Sequence, residues 1–196
     1  MHNDLSKHFE IFLHSELNNN VKDTINNQAT ICQFKKNAIV IFENENVDSI
    51  YYINEGIVRG YYLDCEGREV TKCFSYKNQI FGSECFRTKK KSTFFVETIT
   101  DCNVIKISYS CIEQIIKMDQ NISKYIQNLY YKELAKLEEK NRDILISTKE
   151  TCYINFCEEY KDVVDQIPMK YIASYLGIKP GSLSRIRKNL MIRSQK

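Results

Sequence analysis

The hydrophobic period of this chain changes once, and that change constrains its fold more than any other feature. Between residues 30 and 107 the apolar residues come in short β-branched or aromatic runs, at 39–42, 50–53, 57–63, 70–74, 94–99 and 104–107. Turn signals separate them: Asn44-Glu45-Asn46, Asn54-Glu55-Gly56, Asp64-Cys65-Glu66-Gly67 and Thr100-Asp101-Cys102-Asn103. Short strands at this spacing predict a sandwich or a rolled barrel. From Ile112 onward the period becomes helical, through Ile115, Ile122, Ile126, Leu129, Leu134, Leu137, Ile144 and Leu145. No glycine or proline stands between Gly82 and Pro168. A long helix over 111–146 is therefore expected, and its apolar stripe must be buried against the chain's own β domain or a second copy. Pairing with a second copy is the reading taken.

The flanks are also helical in pattern. Leu5, Phe9, Phe12, Leu13, Leu17 and Val21 lie three to four apart over residues 5–28, and residues 151–160 turn Tyr153, Phe156 and Cys157 inward. Three regions follow: an N-terminal effector region (1–110), a dimerisation helix (111–146) and a C-terminal helical domain (147–196).

Several functions are disfavoured by composition. The longest purely apolar run, residues 38–42, is far short of the ~20 residues of a membrane span. The polar start of the chain lacks a signal peptide's apolar core, so a cytoplasmic location is expected. The eight cysteines include no Cys-x-x-Cys pair and read mostly as small buried residues of a reduced protein. The only histidines, His2, His8 and His14, precede the strands, which argues against a β-roll metal enzyme. No nucleophile–base arrangement and no Gly-rich phosphate loop is visible, so the chain is not expected to be an enzyme, and neither a metal nor a cofactor is expected.

Charge is partitioned. Of 28 basic residues seven fall in residues 168–196, where no acid stands; the other 21 and all 25 acidic residues lie upstream. A positive end on a slightly negative body is the footprint of a phosphate-binding surface. The same segment has the frame of a helix-turn-helix over residues 169–188. Ala173 is small where two helices would cross, and Gly177 tolerates the positive φ of the turn. Ile172, Leu176, Ile178, Leu183 and Ile186 stand at interior positions, while Pro168 and Pro180 each suit a helix start. The outward face of the second helix then offers Gly181, Ser182, Ser184, Arg185 and Lys188 to a major groove.

These residues resemble the DNA-binding domain of the Crp/Fnr regulators, in particular the branch common in Bacteroidetes. The resemblance is carried by Ile167 to Ile178 with Leu183-Ser184-Arg185-Ile186-Arg187-Lys188. Upstream, Tyr52 to Arg59 is similar to that family's strand-turn-strand, Phe81-Gly82-Ser83-Glu84 to its Phe-Gly-Glu signature, and residues 92–107 to its last roll strands. The implied fold is α+β: an antiparallel β-roll of the jelly-roll, cyclic-nucleotide-binding kind, a long dimerisation helix and a C-terminal helix-turn-helix. The implied function is a dimeric transcription regulator that reads near-palindromic sites. Its implied partners are double-stranded DNA, a second copy, RNA polymerase and an unidentified small-molecule effector. The alternative is a sensory module that acts through protein partners instead of DNA.

The chain departs from the family at three places. Members that bind cyclic AMP carry an arginine before Ser or Thr ahead of the strand near Phe94; here Ser92-Thr93 stands there, and Ser83 separates Gly82 from Glu84. The candidate effector pocket (Phe81, Gly82, Glu84, Arg87, Ser92 and Thr93) is thus expected to be vacant or to hold a ligand other than cyclic AMP. Oxygen-sensing members have N-terminal cysteines for an iron–sulfur cluster, whereas no cysteine precedes Cys32 here. Many members have a base-contacting glutamate where Gly181 stands, which leaves Arg185 as the expected guanine reader. Only eight residues follow Lys188, so the β-hairpin wing is expected to be truncated or absent. The expected DNA-binding set is Lys170, Lys179, Ser182, Ser184, Arg185, Arg187, Lys188 and Arg193.

Overall fold

The computed structural model describes residues 4–194. Two helices open the chain, α1 (Ser6–Leu13) and α2 (Asn19–Gln28). The single helical stretch expected over 5–28 is broken without glycine or proline. His14 takes a left-handed conformation after α1, and the Asn18 side chain accepts the Val21 N–H to start α2 anew. Eight strands follow: β1 (Thr30–Phe34), β2 (Ile39–Ile41), β3 (Ser49–Glu55), β4 (Ile57–Leu63), β5 (Glu69–Tyr76), β6 (Ile80–Phe81), β7 (Phe95–Thr98) and β8 (Cys102–Ser108). They form two four-stranded sheets, ordered β1-β8-β3-β6 and β2-β7-β4-β5. A short helix, α3 (Ser83–Thr88), sits between β6 and β7. The roll interior is filled from both sheets, by Ile41, Ile53, Val58, Phe81, Val96, Cys102 and Val104. A second apolar layer lies between the helices and the first sheet, where Val21, Ile25, Tyr52, Ile107 and Cys111 are wholly buried.

Short β-branched or aromatic runs between turn signals identified six of these strands, and two escaped that reading. β1 is half-exposed and β6 is two residues long, so neither alternates far enough to register. Cys102 and Asn103, read as turn, open β8.

The helical stretch expected from residue 111 is also two helices. α4 (Tyr109–Met118) buries Cys111, Ile112 and Ile115 in the roll's helical layer. The chain breaks at Asp119, whose side chain accepts the Asn121 N–H, and α5 (Gln120–Ile146) begins. Along α5 only Ile122 is buried. The later apolar residues Leu134, Leu137, Ile144 and Leu145 are all exposed. α6 (Lys149–Glu159) buries Tyr153 and Phe156, while Cys157 is half-buried. A 3-10 turn (Val164–Gln166), α7 (Met169–Tyr175) and α8 (Pro180–Ser194) complete the fold, and no strand follows α8 among the described residues.

The chain forms two compact units. One runs up to Gly60 and resumes from Phe74 to Glu133; the other comprises Tyr61–Cys73 and the chain from Leu134 onward. These units cut across the linear division 1–110, 111–146, 147–196, because α5 is shared and the tip of the β4–β5 hairpin groups with the C-terminal helices.

Among the described residues no three His, Cys, Asp or Glu side chains cluster as a metal site, and no helix is long and apolar enough to cross a membrane. All eight cysteines are free thiols; Cys85, Cys102 and Cys111 are buried, and burial pushes their thiols up.

Candidate nucleic-acid interface

The helix pair at the C-terminus is assembled from small, apolar and punctuating residues. Pro168 caps α7 with its fixed φ, and Pro180 is the first residue of α8. Between the helices Gly177 adopts φ 64°. A Cβ there would meet nothing within 4 Å, so the glycine answers to backbone conformation alone. The turn is tied by Gly177 N–H to Ser174 O (3.1 Å) and Ile178 N–H to Ala173 O (3.0 Å). Ala173 and Leu183 are completely buried, with Ile172 and Leu176 beside them. Ile178 and Ile186 are half-buried. Phe156, Tyr160 and Tyr175 form an aromatic cluster behind this frame, with ring centroids 4.7–6.0 Å apart. Burial pushes the Tyr160 and Tyr175 hydroxyls well up, so this cluster stays uncharged.

With Leu183 turned inward, α8 exposes Gly181, Ser184, Arg185 and Lys188. These stand three to four apart and form one stripe, about 10 Å long at 1.5 Å per residue. Ser182 is half-buried beside them. Lys179 is exposed just before α8, and Lys170 is exposed in the first turn of α7, its Nζ 4.6 Å from the Tyr171 ring centroid. Arg187 is placed differently from the rest of the expected set. It is half-buried, and its Nη1 lies 2.6 Å from Met169 Sδ at the start of α7. Tyr153, pushed up to about 12 chiefly by burial, also lies in range of this guanidinium. Arg187 therefore tethers α7 to α8. The Arg193 side chain lies outside the described residues.

The residues expected to line an effector pocket are drawn into the roll's own bonding. Phe81 is buried and stacks on Tyr51, with centroids 4.7 Å apart and planes 5° from parallel. Gly82 adopts φ 83°, and a Cβ there would stand 2.8 Å from Ser49 O, so no other residue fits without a backbone shift. Its carbonyl accepts the Tyr109 hydroxyl, which burial pushes up. Ser92 is buried and its hydroxyl donates to Phe94 O at 2.7 Å, while Thr93 Oγ1 donates to Glu84 Oε1 at 3.0 Å. Arg87 is exposed in the last turn of α3.

One buried charge escaped the sequence reading. Arg59 on β4 is 1% exposed, and its Nη2 lies 2.8 Å from Glu97 Oε1 on the neighbouring strand β7. Its only sequence signal was a cation within an apolar run. Ser174 was missed as well, because its partners are 103 and 105 residues away in sequence.

Comparison with known proteins agrees with this architecture. Residues 31–119 match the cyclic nucleotide-binding domain family. A stretch of 119 residues is 25% identical to the cAMP-activated global transcriptional regulator CRP of Haemophilus influenzae, covering 53% of each protein. The chain thus spans about half the length of that curated relative. FixK2 from Bradyrhizobium japonicum superposes with a TM-score of 0.75 at 22% identity, over 85% of this chain and 86% of that one. The c-di-GMP responsive global regulator CLP of Xanthomonas campestris gives 0.70 at 14% identity, over 96% and 93%. At such identities these likenesses establish the fold.

Proposed function

We propose that this chain, a Crp/Fnr-type protein by its fold and by its cyclic nucleotide-binding domain at residues 31–119, is a sequence-specific DNA-binding transcription regulator. The observation that carries the reading is the stripe on α8. Gly181, Ser184, Arg185 and Lys188 face outward on a helix whose opposite side is locked by Leu183, in a segment that contains no acid. A helix of this width enters the ~12 Å major groove, where an arginine can donate two bonds to a guanine edge. Lys170, Lys179 and Lys188 supply charge for phosphates, which fix register without reading sequence.

Two copies act together. Leu134, Leu137 and Ile144 lie along one side of α5, three and seven residues apart, with Asn141 interposed in the same series. Their exposure in the single chain gives a second α5 an apolar seam, and an interposed asparagine is a register device in such seams. A dimer would present two α8 helices to half-sites one helical turn apart.

The roll is the sensory half, and cyclic AMP is not its ligand. The CRP relative is activated by cAMP, as its name states. Here Ser92 and Thr93 donate their hydroxyls to Phe94 and Glu84, and Arg87, the arginine of the expected pocket, is exposed and not turned in to neutralise a cyclic phosphate. A calorimetric titration with cyclic AMP should give no heat; micromolar binding would overturn this assignment.

The test of the main reading is a salt titration of binding to duplex DNA. Each neutralised phosphate adds about −0.9 to the slope of log K against log salt, so affinity should fall steeply as salt rises. Binding indifferent to salt would favour the alternative, a module that acts on protein partners.

A further inference from the structure

The tip of the β4–β5 hairpin is not a free loop. Ser174, on the first helix of the helix-turn-helix, uses its hydroxyl in both directions on one strand. It accepts the Thr71 N–H at 2.9 Å and donates to the Glu69 carbonyl at 3.1 Å. Thr71 is buried at this point, and β5 is an edge strand of its sheet. An edge strand carries a row of main-chain groups that need partners; a helix side chain supplies two here. The next residue is held from another direction. Lys140 of α5 donates from Nζ to the Lys72 carbonyl at 3.0 Å, and the same ammonium sits 3.7 Å from the ring centroid of Tyr175, the residue after Ser174. That placement combines a charged hydrogen bond with a cation–π contact. Burial pushes the Lys140 ammonium down, consistent with its removal from water. Three consecutive-level contacts therefore join residues 69–72 to α7 and α5, and residues 61–73 group with the C-terminal helices accordingly. The hairpin is also continuous in the chain with β4 and β5 of the roll.

We propose that Ser174 and Lys140 are positioning residues that fasten the β4–β5 hairpin to α7 and α5, so that a displacement of the hairpin is delivered to the helix pair presenting Arg185. This rests on the DNA-reading role given above for its consequence, though the fastening itself does not depend on it. Ser174 makes no contact with the reading stripe of α8; it acts through the orientation of α7.

Hydrogen exchange resolved to single amides tests the fastening without DNA. In Ser174→Ala the Thr71 amide should exchange about tenfold faster, the worth of one part-buried hydrogen bond, while Ser174→Thr restores the wild-type rate. Lys140→Met, which keeps the stem and removes the ammonium, should speed the amides of residues 70–73 independently. A second arm adds duplex DNA: in the wild type, binding should slow exchange in residues 69–73 as well as in α8, and in the double variant Ser174→Ala with Lys140→Met in α8 alone. An unchanged Thr71 rate in Ser174→Ala overturns the proposal, as does a hairpin that still responds to DNA in the double variant. Failure of the wild type to bind DNA would instead sink the regulator reading, with the fastening still judged by the first arm.

Discussion

Replacement of Leu137 by glutamate should separate the dimer while leaving the protomer folded. In the single chain Leu134, Leu137 and Ile144 are 54%, 61% and 56% exposed, and Leu145 is 78% exposed. Complete burial of a leucine or isoleucine contributes about 1.5–3 kcal/mol, so covering the exposed part of each is worth roughly 1–1.5 kcal/mol. Four such side chains on each of two helices contribute on the order of 10 kcal/mol, comparable with the roughly 4–15 kcal/mol that association costs. The balance is close enough for one position to decide it. Leu137→Glu removes roughly 2–3 kcal/mol across the two copies and sets two carboxylates against each other in the seam, a loss of at least about 100-fold in affinity. Because position 137 is largely in solvent in the protomer, thermal stability measured on dilute monomer should move by no more than about 0.5 kcal/mol. Sedimentation equilibrium reads the first effect and circular dichroism the second. A variant that dimerises like the wild type, or a wild type that is monomeric at high micromolar concentration, would refute the seam.

Three further outcomes are expected. Gly181→Glu should stabilise the chain by roughly 1 kcal/mol, since a Cβ there meets nothing within 4 Å and glycine is a poor early-helix residue; site selection should then show an altered preference at one base pair per half-site, and an unchanged preference would remove position 181 from the reading face. Glu97→Ala should cost roughly 1.5–3 kcal/mol in thermal unfolding by removing a carboxylate partner of the 1%-exposed Arg59, whereas the double change Arg59→Met with Glu97→Leu should cost less; equal losses would argue that packing and not the charge pair holds this place. Acid should weaken the fold through carboxylates held below their usual range, Glu10 by the Leu17 N–H and Lys22, and Asp101 by the Lys36 N–H and Lys35. Their contribution is present above the ordinary values of 4.5 and 3.8 and is lost as pH falls through the lower folded values, so melting temperature should be level above about pH 5 and fall below it; a melting temperature that rose on acidification would contradict this.

The parts legible in sequence were those whose physics is local. Gly177 and Ala173, four apart, and Leu183 on the far side of the turn need only their own segment to specify a helix pair, and the structure realises it with Ala173 and Leu183 fully buried. The six strands written as apolar β-branched or aromatic runs were legible for the same reason. What was lost depended on side-chain caps or on distant partners. Asn18 and Asp119 restart helices through side-chain acceptors where no glycine or proline warns of a break. The sequence placed Arg187 in the DNA-binding set because of its charge; its contact with Met169 joins residues 18 apart across the turn between α7 and α8. Ser174 carried no signal in the sequence, since its strand partners lie in a hairpin more than 100 residues earlier.

Selection of bound sequences from a random duplex pool tests the central claim most directly. The account predicts enrichment of two inverted half-sites centred about 10–10.5 base pairs apart, each with a guanine whose preference is lost in Arg185→Ala while phosphate-driven binding persists. A pool with no enriched sequence, or a preference that survives loss of Arg185, would contradict it.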